Sequence, residues 1–326
     1  MTKKMKHLFL IHSNTVFLSA LGAINYEGME SSDIIFFYAR NFSSDYTPKD
    51  ISVYDVSKEY SWAQNRDSNY NPYKLHRLVK DMDAAIDKYV AKEYIAYVPH
   101  TIGPCQPIIT NKYCKGIRLM QEGAFTFYGK KHKVFNIFIK NLLFSNKRVW
   151  FQSSWDIPKS RKSKIKIQKT YATNKKYFEQ EHNANHIVIK WPKIVDERLS
   201  FPKGTNFFLF ESAIELKQID KRHYLIGCER LIKDSNVKKC YIKFHPNQRE
   251  ENVNEILALF EGVDYTVFSL NVPFELIISS NSNLNLYGFS TSLIKFGEDY
   301  GHHVVNYTQL LCELSRDFKK YIDSMC

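Results

Sequence analysis

Long apolar runs are absent from this sequence. The first apolar stretch, Leu8–Ile11, is followed at once by polar residues, whereas a signal peptide needs about 7–15 apolar residues in succession. A membrane-spanning helix needs about 18 or more, and no window of the sequence stays uncharged and apolar over such a length. We therefore expect an intracellular protein, or one that contacts a membrane only at its surface.

Glycine, proline and paired cysteines are also scarce. Twelve glycines and ten prolines in 326 residues exclude collagen-like and linker-like chains. None of the six cysteines belongs to a C-x-x-C pair, and their spacing matches no zinc motif. Free, mostly buried thiols in a reducing compartment are therefore expected.

The composition instead describes a folded, basic chain. With 326 residues, of which 44% are hydrophobic and 15% aromatic, the chain is long enough for two domains with cores of their own. Its formal net charge of +12 indicates either an anionic partner or an ordinary lysine-rich surface. The segment Lys159–Lys176 concentrates lysines and contains no acidic residue. We interpret it as a solvated loop, with contact to a membrane surface as the alternative.

Strand-like and helix-like segments alternate in both halves of the sequence. Apolar runs such as Tyr94–Val98 and Asn206–Phe210 are typical of buried strands, and segments of helical spacing such as Lys221–Lys233 separate them. This alternation predicts an α/β protein with two doubly wound parallel sheets. We place an N-terminal domain at residues 1–190 and a C-terminal domain at residues 191–326. A terminal helix at Leu310–Ile322 could cross back to the first domain.

Polar residues at the carboxyl ends of strands are the functional candidates, because ligands of open α/β sheets bind there. His245 and Pro246 follow one predicted strand, and an imidazole held there can donate to a phosphate or accept a proton. The segment Gly288–Ser292 places three hydroxyls where a strand turns into a helix, which is typical of an anion site. Each also has a plain structural explanation: His245 as a surface residue, and the hydroxyls as a helix N-cap.

Glu122 and Glu275 likewise have both a functional and a structural explanation. Glu122, followed by Gly123, comes directly after the predicted strand Ile117–Met120, where a carboxylate can act as a general base or can simply be a solvated turn residue. Pro273 and Glu275 are ordinary at the start of a helix. A carboxylate at Glu275 could instead hold the two hydroxyls of a ribose.

Taken in order, these motifs resemble those of bacterial sialyltransferases with the GT-B fold, above all the polysialyltransferases and the lipooligosaccharide sialyltransferases. Those enzymes carry an acid-acid-Gly motif, a His-Pro motif and a Ser-Ser/Thr motif. The resemblance extends from about Val98 to Ser292. Two positions depart from the family pattern: Gln121 stands in place of the first acid, and Ser290-Thr291-Ser292 leaves the register of the serine pair open.

The resemblance implies an inverting transfer of sialic acid from CMP-sialic acid to a hydroxyl of a glycan, carried out by two Rossmann-like domains that face a cleft. The acceptor would be galactose- or sialic-acid-terminated, of the lipooligosaccharide or capsule type. Glu122 would be the general base, and His245 with the hydroxyls of Ser290, Thr291 and Ser292 would stabilise the CMP phosphate. Because CMP leaves with one phosphate, no metal and no other cofactor are expected.

The resemblance also implies a cytoplasmic enzyme without a nucleic-acid partner, with peripheral contact to the cytoplasmic face of the inner membrane as an option. Lys243 could alternatively pack or pair away from the donor. The remaining expected binding residues divide between the two substrates. The donor set is Glu211, Ser212, Lys243, Pro246, Glu275, Ser290, Thr291 and Ser292. The acceptor set is His12, Asn14 and Gly123.

Three alternatives stay open at this point. A transferase of the same fold could use CMP-Kdo, since the nucleotide motifs do not identify the sugar. The charge of +12 suggests a nucleic-acid-binding protein, although the sequence shows none of the usual nucleic-acid-binding motifs. A catalytically silent, lectin-like module on the same fold would bind glycans without turnover.

Overall fold

The computed structural model describes residues 5–61, 72–100, 105–123, 149–151, 158–160, 167–177, 185–269, 272–289 and 292–323. The chain divides into two compact units, Met1–Trp191 and Pro192–Cys326. The sequence had suggested a boundary one residue earlier.

The first unit is built on a parallel sheet with helices on both faces. Its strands are β1 (Lys6–Ile11), β2 (Ile34–Tyr38), β3 (Ser52–Asp55), β4 (Tyr94–Val98) and β5 (Cys114–Met120), then β8 (Ile167–Ala172) and β9 (Asn185–Val188). They lie in the order β3-β2-β1-β4-β5-β8-β9, and every neighbouring pair is parallel. Between β5 and β8 in the sequence, β6 (Val149–Phe151) and β7 (Pro158–Ser160) form an antiparallel pair. The described helices are α1 (Asn14–Glu27), α2 (Ser57–Ser61), α3 (Pro72–Tyr89) and α4 (Cys105–Thr110).

Burial on both faces explains the strand sequences of the first unit. All five residues of β2, IIFFY, are buried, as expected for a parallel strand covered by helices on both sides. Helix α1 begins after Ser13, whose side chain accepts a hydrogen bond from Val16 N, and ends at Gly28 in the left-handed conformation (φ 61°). At Gly22, a Cβ atom would lie 2.8 Å from the carbonyl oxygen of Lys190, so glycine lets α1 pack closely against the chain beyond β9.

The second unit repeats this architecture on a smaller scale. Its strands are β10 (Asn206–Phe210), β11 (Lys239–Phe244), β12 (Asp264–Val267), β13 (Asn285–Gly288) and β14 (His303–Asn306). They form a parallel sheet in the order β12-β11-β10-β13-β14. Its described helices are α5 (Lys221–Ser235), α6 (Glu250–Ala258), α7 (Phe274–Ser280), α8 (Ser292–Asp299), α9 (Thr308–Leu314) and α10 (Arg316–Asp323).

The predicted fold class, two doubly wound Rossmann-like domains, is confirmed by these sheets. Two expectations need correction. Residues 167–172 of the basic segment form β8, inside the first sheet, because Thr170, Tyr171 and Ala172 are buried and the strand pairs with both β5 and β9. The terminal segment is two helices separated at Ser315, and its buried Leu311 and Phe318 belong to the core of the second unit. The described part of this segment therefore packs on the core of the second unit.

Candidate functional site

The first candidate site lies at the carboxyl edge of the first sheet. The order of strands reverses between β1 and β4, because β2 and β3 lie on one side of β1 while β4 and β5 lie on the other. Doubly wound sheets bind their ligands at such a reversal. Arg40 follows β2, His12 follows β1, His100 follows β4 and Glu122 follows β5. The sequence predicted His12 and Glu122 and missed Arg40 and His100.

His12 and Glu122 form a hydrogen-bonded pair across the sheet edge. Nε2 of His12 lies 2.7 Å from Oε1 of Glu122, and because a carboxylate only accepts, Nε2 carries the hydrogen of this bond. The His12 side chain is 1% exposed and that of Glu122 is 37% exposed. The buried Nδ1 of His12 makes no hydrogen bond to any residue that the structure describes. Glu122 is therefore the member of the pair that a substrate can reach, and the hydrogen bond from the buried His12 orients its carboxylate.

The surroundings of Glu122 keep its carboxyl group ionised. Burial acts to raise its pKa, but the hydrogen bond from His12 and the electrostatic interactions with His100, His12 and Arg40 outweigh burial and lower the pKa to about 2. Glu122 is thus an anion throughout the physiological range. Its exposed oxygen can accept a hydrogen bond, and then a proton, from a hydroxyl group.

Tyr60 and Cys105 are buried beside this pair and stay neutral. The centroid of the Tyr60 ring lies 5.9 Å from that of the His12 ring, and the centroid of the His100 ring lies 6.2 Å from that of the His12 ring. Burial raises the pKa of the Tyr60 hydroxyl and of the Cys105 thiol. Neither group is therefore available as an anion, and Glu122 is the carboxylate around which the site is organised.

Gln121 explains the departure from an acid-acid-Gly motif. Its buried side chain accepts hydrogen bonds from N and Oγ1 of Thr173, at 2.8 and 3.0 Å, and donates to the carbonyl oxygen of Gly123 at 3.1 Å. The amide oxygen thus ties the end of β5 to the end of β8, and the amide N–H, which an ionised acid would lack, holds the turn that follows β5. Gly123 lies next to Glu122 on this turn, and Asn14 is the half-buried first residue of α1.

A second candidate site lies at the carboxyl edge of the second sheet. The strand order reverses between β10 and β13. Glu211 and Ser212 follow β10, and His245 and Pro246 follow β11. Ser290 and Thr291, after β13, lie outside the described residues. The next residue begins α8, so Ser292 is the described member of the hydroxyl group.

His245 is exposed at this edge and is oriented by its own turn. Its Nδ1 accepts a hydrogen bond from the N–H of Asn247 at 3.1 Å, and its backbone N–H donates to the carbonyl oxygen of Phe210 and to Oε1 of Gln248. Partial desolvation lowers the pKa of His245. The nearby Lys243 ammonium lowers this pKa further, whereas the Glu215 carboxylate acts to raise it. A neutral ring with Nδ1 as acceptor carries its hydrogen on Nε2, which can donate to a phosphate oxygen.

Lys243 is buried and ties two segments of the second unit together. Its ammonium donates hydrogen bonds to the carbonyl oxygens of Ser269, at 2.5 Å, and Val272, at 3.1 Å. Burial lowers its pKa to about 8, although Glu275 acts in the opposite direction. Glu275 is half-buried in the first turn of α7. Lys243 therefore ties β11 to Val272, which lies just before the start of α7.

Glu211 and Glu215, both on the segment after β10, have opposite protonation behaviour. Burial raises the pKa of Glu211 to about 8, so its half-buried carboxyl group is predominantly protonated at neutral pH. Burial acts on Glu215 in the same direction, but hydrogen bonds from Arg249 N, at 2.9 Å, and Asn252 Nδ2, at 2.8 Å, outweigh it and lower the pKa. Glu215 was not predicted. It caps the start of α6, while the neighbouring Ser212 is buried.

Metal-binding arrangements are not found among the described residues, where no group of three or more His, Cys, Asp or Glu side chains could hold an ion. The D-x-D spacing of Asp81 and Asp83 lies within helix α3. Asp81 pairs with Arg77 at 3.6 Å, and Asp83 accepts a hydrogen bond from Asn111 at 2.8 Å. His302 is buried and bonded through both ring nitrogens to backbone groups. These residues have structural roles.

No helix in the described part of the chain is long and apolar enough to cross a membrane.

No protein-family model and no curated protein matches the chain. Three solved structures to which it is similar are MurG of Acinetobacter baumannii, the glycosyltransferase SnogD of Streptomyces nogalater, and the E. coli heptosyltransferase WaaC with ADP. The identities are 10%, 8% and 11%, and the TM-scores are 0.39, 0.47 and 0.42. The alignments cover 97%, 99% and 98% of this chain and 91%, 100% and 97% of those chains. At such values the fold assignment rests on the strand orders themselves.

Proposed function

We propose that this chain is an inverting glycosyltransferase of the GT-B type that transfers sialic acid from CMP-sialic acid to a hydroxyl group of a glycan. The observation that supports this best is Glu122: an ionised, partly exposed carboxylate that His12 holds at the strand-order reversal of a doubly wound sheet. The choice of CMP-sialic acid as the donor is based on the ordered motifs of the sequence, which resemble those of bacterial sialyltransferases.

In this proposal Glu122 is the general base. The acceptor oxygen forms a bond to the anomeric carbon of sialic acid as the bond from that carbon to the CMP phosphate breaks, and the hydroxyl proton passes to Glu122. A carboxylate with a pKa of about 2 is a weak base. It suffices because the attacked carbon has oxocarbenium character, so the hydroxyl becomes strongly acidic as the new bond forms.

The second unit would bind the donor. Nε2–H of His245 donates to the departing phosphate, which stabilises the negative charge that develops there. Ser290, Thr291 and Ser292 add hydroxyl and backbone donors, and Glu275, positioned by Lys243, holds the ribose. Pro246 keeps the His245 turn rigid, while Glu211 and Ser212 line the same edge.

The donor also bears on the metal requirement. CMP leaves with one phosphate instead of a pyrophosphate, so hydrogen-bond donors can stabilise the leaving group without a divalent cation. We therefore propose metal-independent transfer, to a glycan acceptor of the lipooligosaccharide or capsule type, on the cytoplasmic side of the inner membrane.

Turnover of CMP-sialic acid and CMP-Kdo with a galactose-terminated acceptor tests the proposal. We expect release of CMP and a sialylated product with the first donor and neither with the second. Glu122→Gln should lower kcat by about 10²–10⁴-fold, whereas Glu93→Gln, which removes an exposed partner of Lys115, should leave kcat unchanged. Turnover of CMP-Kdo alone would reassign the sugar. Turnover of neither donor would overturn the proposal.

A further inference from the structure

Arg40 stands in an unusual backbone conformation at the first candidate site. Arg40 and Asn41 are both left-handed, with φ values of 58° and 55°, a conformation that non-glycine residues rarely adopt and that costs free energy. Two successive residues of this kind persist only where the surroundings fix them. The N–H of Asn41 donates to Oγ of Ser57 at 2.7 Å, and the N–H of Ser57 donates to Asp55 at 2.8 Å. The turn is thereby tied to the start of α2.

This turn delivers the Arg40 guanidinium to the edge of the sheet. Its central carbon lies 5.3 Å from the centroid of the Tyr60 ring, a cation–π contact that orients the group. Tyr60 is itself buried and faces the ring of His12. Arg40 nevertheless remains exposed. The guanidinium is thus held in place from one side and open to a ligand from the other.

Arg40 is close to Glu122 without pairing with it. Its charge helps to lower the pKa of Glu122, yet the ion-pair partner of Glu122 is His12. In the described part of the chain, no carboxylate forms an ion pair with Arg40. Among the described residues at the strand ends around the reversal, the Glu122 carboxylate is paired with His12 and lies near the Arg40 guanidinium and the His100 imidazole.

We propose that Arg40 binds an anionic group, carboxylate or phosphate, of the acceptor glycan, next to the hydroxyl that Glu122 deprotonates. This inference rests on the proposed function for its statement of which substrate is bound. A guanidinium presents two parallel N–H donors that match the two oxygens of a carboxylate or phosphate. The anion would complement the positive charge of the Arg40 guanidinium, and its position would fix the acceptor hydroxyl relative to Glu122.

The consequence is a preference for acidic acceptors. A hydrogen-bonded pair with a charged group is worth roughly 10- to 100-fold in binding, so an acidic acceptor should have a KM lower by about that factor than a neutral one. Lysine at this position would keep the charge but lose the paired donors. Arg40→Lys should therefore recover only part of the preference that Arg40→Gln abolishes.

The test compares three acceptors with the same terminal galactose: a neutral one, one carrying sialic acid, and one carrying a phosphate ester. For Arg40→Gln we expect KM for the acidic acceptors to rise about 10- to 100-fold, and KM for the neutral acceptor to change much less. The acidic acceptor whose KM rises more shows whether Arg40 prefers a carboxylate or a phosphate. Arg230→Gln, at an exposed position of α5, is the matched control and should change no constant.

Calorimetric titration of the same acceptors separates this inference from the proposed function. If the protein binds an acidic glycan and Arg40→Gln weakens that binding, but no donor is turned over, the anion site stands and the proposed transfer fails. Equal effects of Arg40→Gln on neutral and acidic acceptors, or no effect on either, would overturn the anion site. Thermal unfolding of each variant shows whether an equal effect reflects loss of the folded protein.

Discussion

Two glutamates at strand ends, one in each sheet, have opposite protonation states at neutral pH. Glu122, after β5 of the first sheet, has a pKa of about 2 because His12, His100 and Arg40 outweigh its burial. For Glu211, after β10 of the second sheet, burial raises the pKa to about 8. Environments that separate the pKa values of two carboxyl groups also separate their chemical roles. At neutral pH the first can take a proton, and the second can donate a hydrogen bond to a ligand.

His12→Leu tests whether His12 sets the pKa of Glu122. Loss of the hydrogen bond leaves burial as the dominant influence, so the pKa of Glu122 should rise. A general base must be ionised to act, and a pKa of about 2 leaves the activity of the native protein independent of Glu122 titration near neutrality. In His12→Leu an acid limb should therefore appear in kcat/KM at higher pH, as measured by CMP release across the acidic range.

His12→Gln provides a second readout, because its side-chain amide can still donate to Glu122 and should restore part of the native profile. His303→Asn, at an exposed position of β14, is the control and should leave the profile unchanged. An unshifted acid limb in a folded His12→Leu protein would mean that His12 does not tune the base.

Glu27 joins three elements of the first unit. From the end of α1 it accepts hydrogen bonds from Lys169 of β8, at 2.8 Å, and Tyr171 of β8, at 2.7 Å, and it pairs with Arg118 of β5 at 3.2 Å. Burial acts to raise the pKa of Glu27, but these contacts outweigh it and lower the pKa. The network holds β8 against β5 in a segment whose lysines alone gave no sign of a buried strand.

Glu27→Gln should destabilise the protein by about 1.5–3 kcal/mol at neutral pH, the usual contribution of hydrogen bonds to charged groups. Because the folded pKa lies below the unfolded value, the stabilisation by Glu27 is present above the unfolded pKa and is lost as the pH falls through the folded pKa. The difference between native and variant stability should therefore shrink in acid. Urea unfolding at neutral pH and below about pH 4 measures both values.

The exposed pair of Glu93 and Lys115, at 3.0 Å, supplies the control. Glu93→Gln should change the free energy of unfolding by less than about 1 kcal/mol at either pH, since exposed ion pairs contribute little. If Glu27→Gln and Glu93→Gln behaved alike, the Glu27 network would have no special role in the first unit.

Strands were easier to predict from the sequence than helix α1 and strand β8. Buried parallel strands are continuous apolar runs, so Tyr94–Val98 and Asn206–Phe210 are predicted with the bounds that the structure shows. Helix α1 escapes a search for periodicity because its residues Thr15 to Ala23 are all buried and leave no polar face. Strand β8 escapes because Lys169 is charged, and the glutamate that neutralises it, Glu27, comes from α1.

The candidate site, too, was predictable from the sequence only in part. Strand-end position alone predicts Glu122 and His12, and the same rule applied to every strand would have added Arg40 and His100. What the sequence does not contain is their pairing, because His12 and Glu122 are 110 residues apart and meet only through the order of the strands. The structural role of Gln121 likewise depends on its hydrogen bond from Thr173, which forms only because β5 and β8 lie side by side.

At the scale of the whole molecule, the net charge is +12, and several of the basic side chains make contacts within the fold. Lys169 and Arg118 pair with Glu27, and Lys243 binds backbone carbonyls. Arg40, by contrast, is exposed beside the candidate site. A basic surface attracts anionic ligands over distances set by the ionic strength. Binding of an acidic acceptor should accordingly weaken with salt more steeply than binding of a neutral one.

Metal independence is a property of the whole proposed reaction and can be tested on the intact protein. If His245 and the neighbouring donors stabilise the CMP phosphate, transfer from CMP-sialic acid should proceed at the same rate in excess EDTA as in its absence, and Mg²⁺ or Mn²⁺ should give no increase. The initial rate of CMP release measures this. Activity that disappears in EDTA and returns with a divalent cation would show that a metal, and not the hydrogen-bond donors alone, neutralises the leaving group.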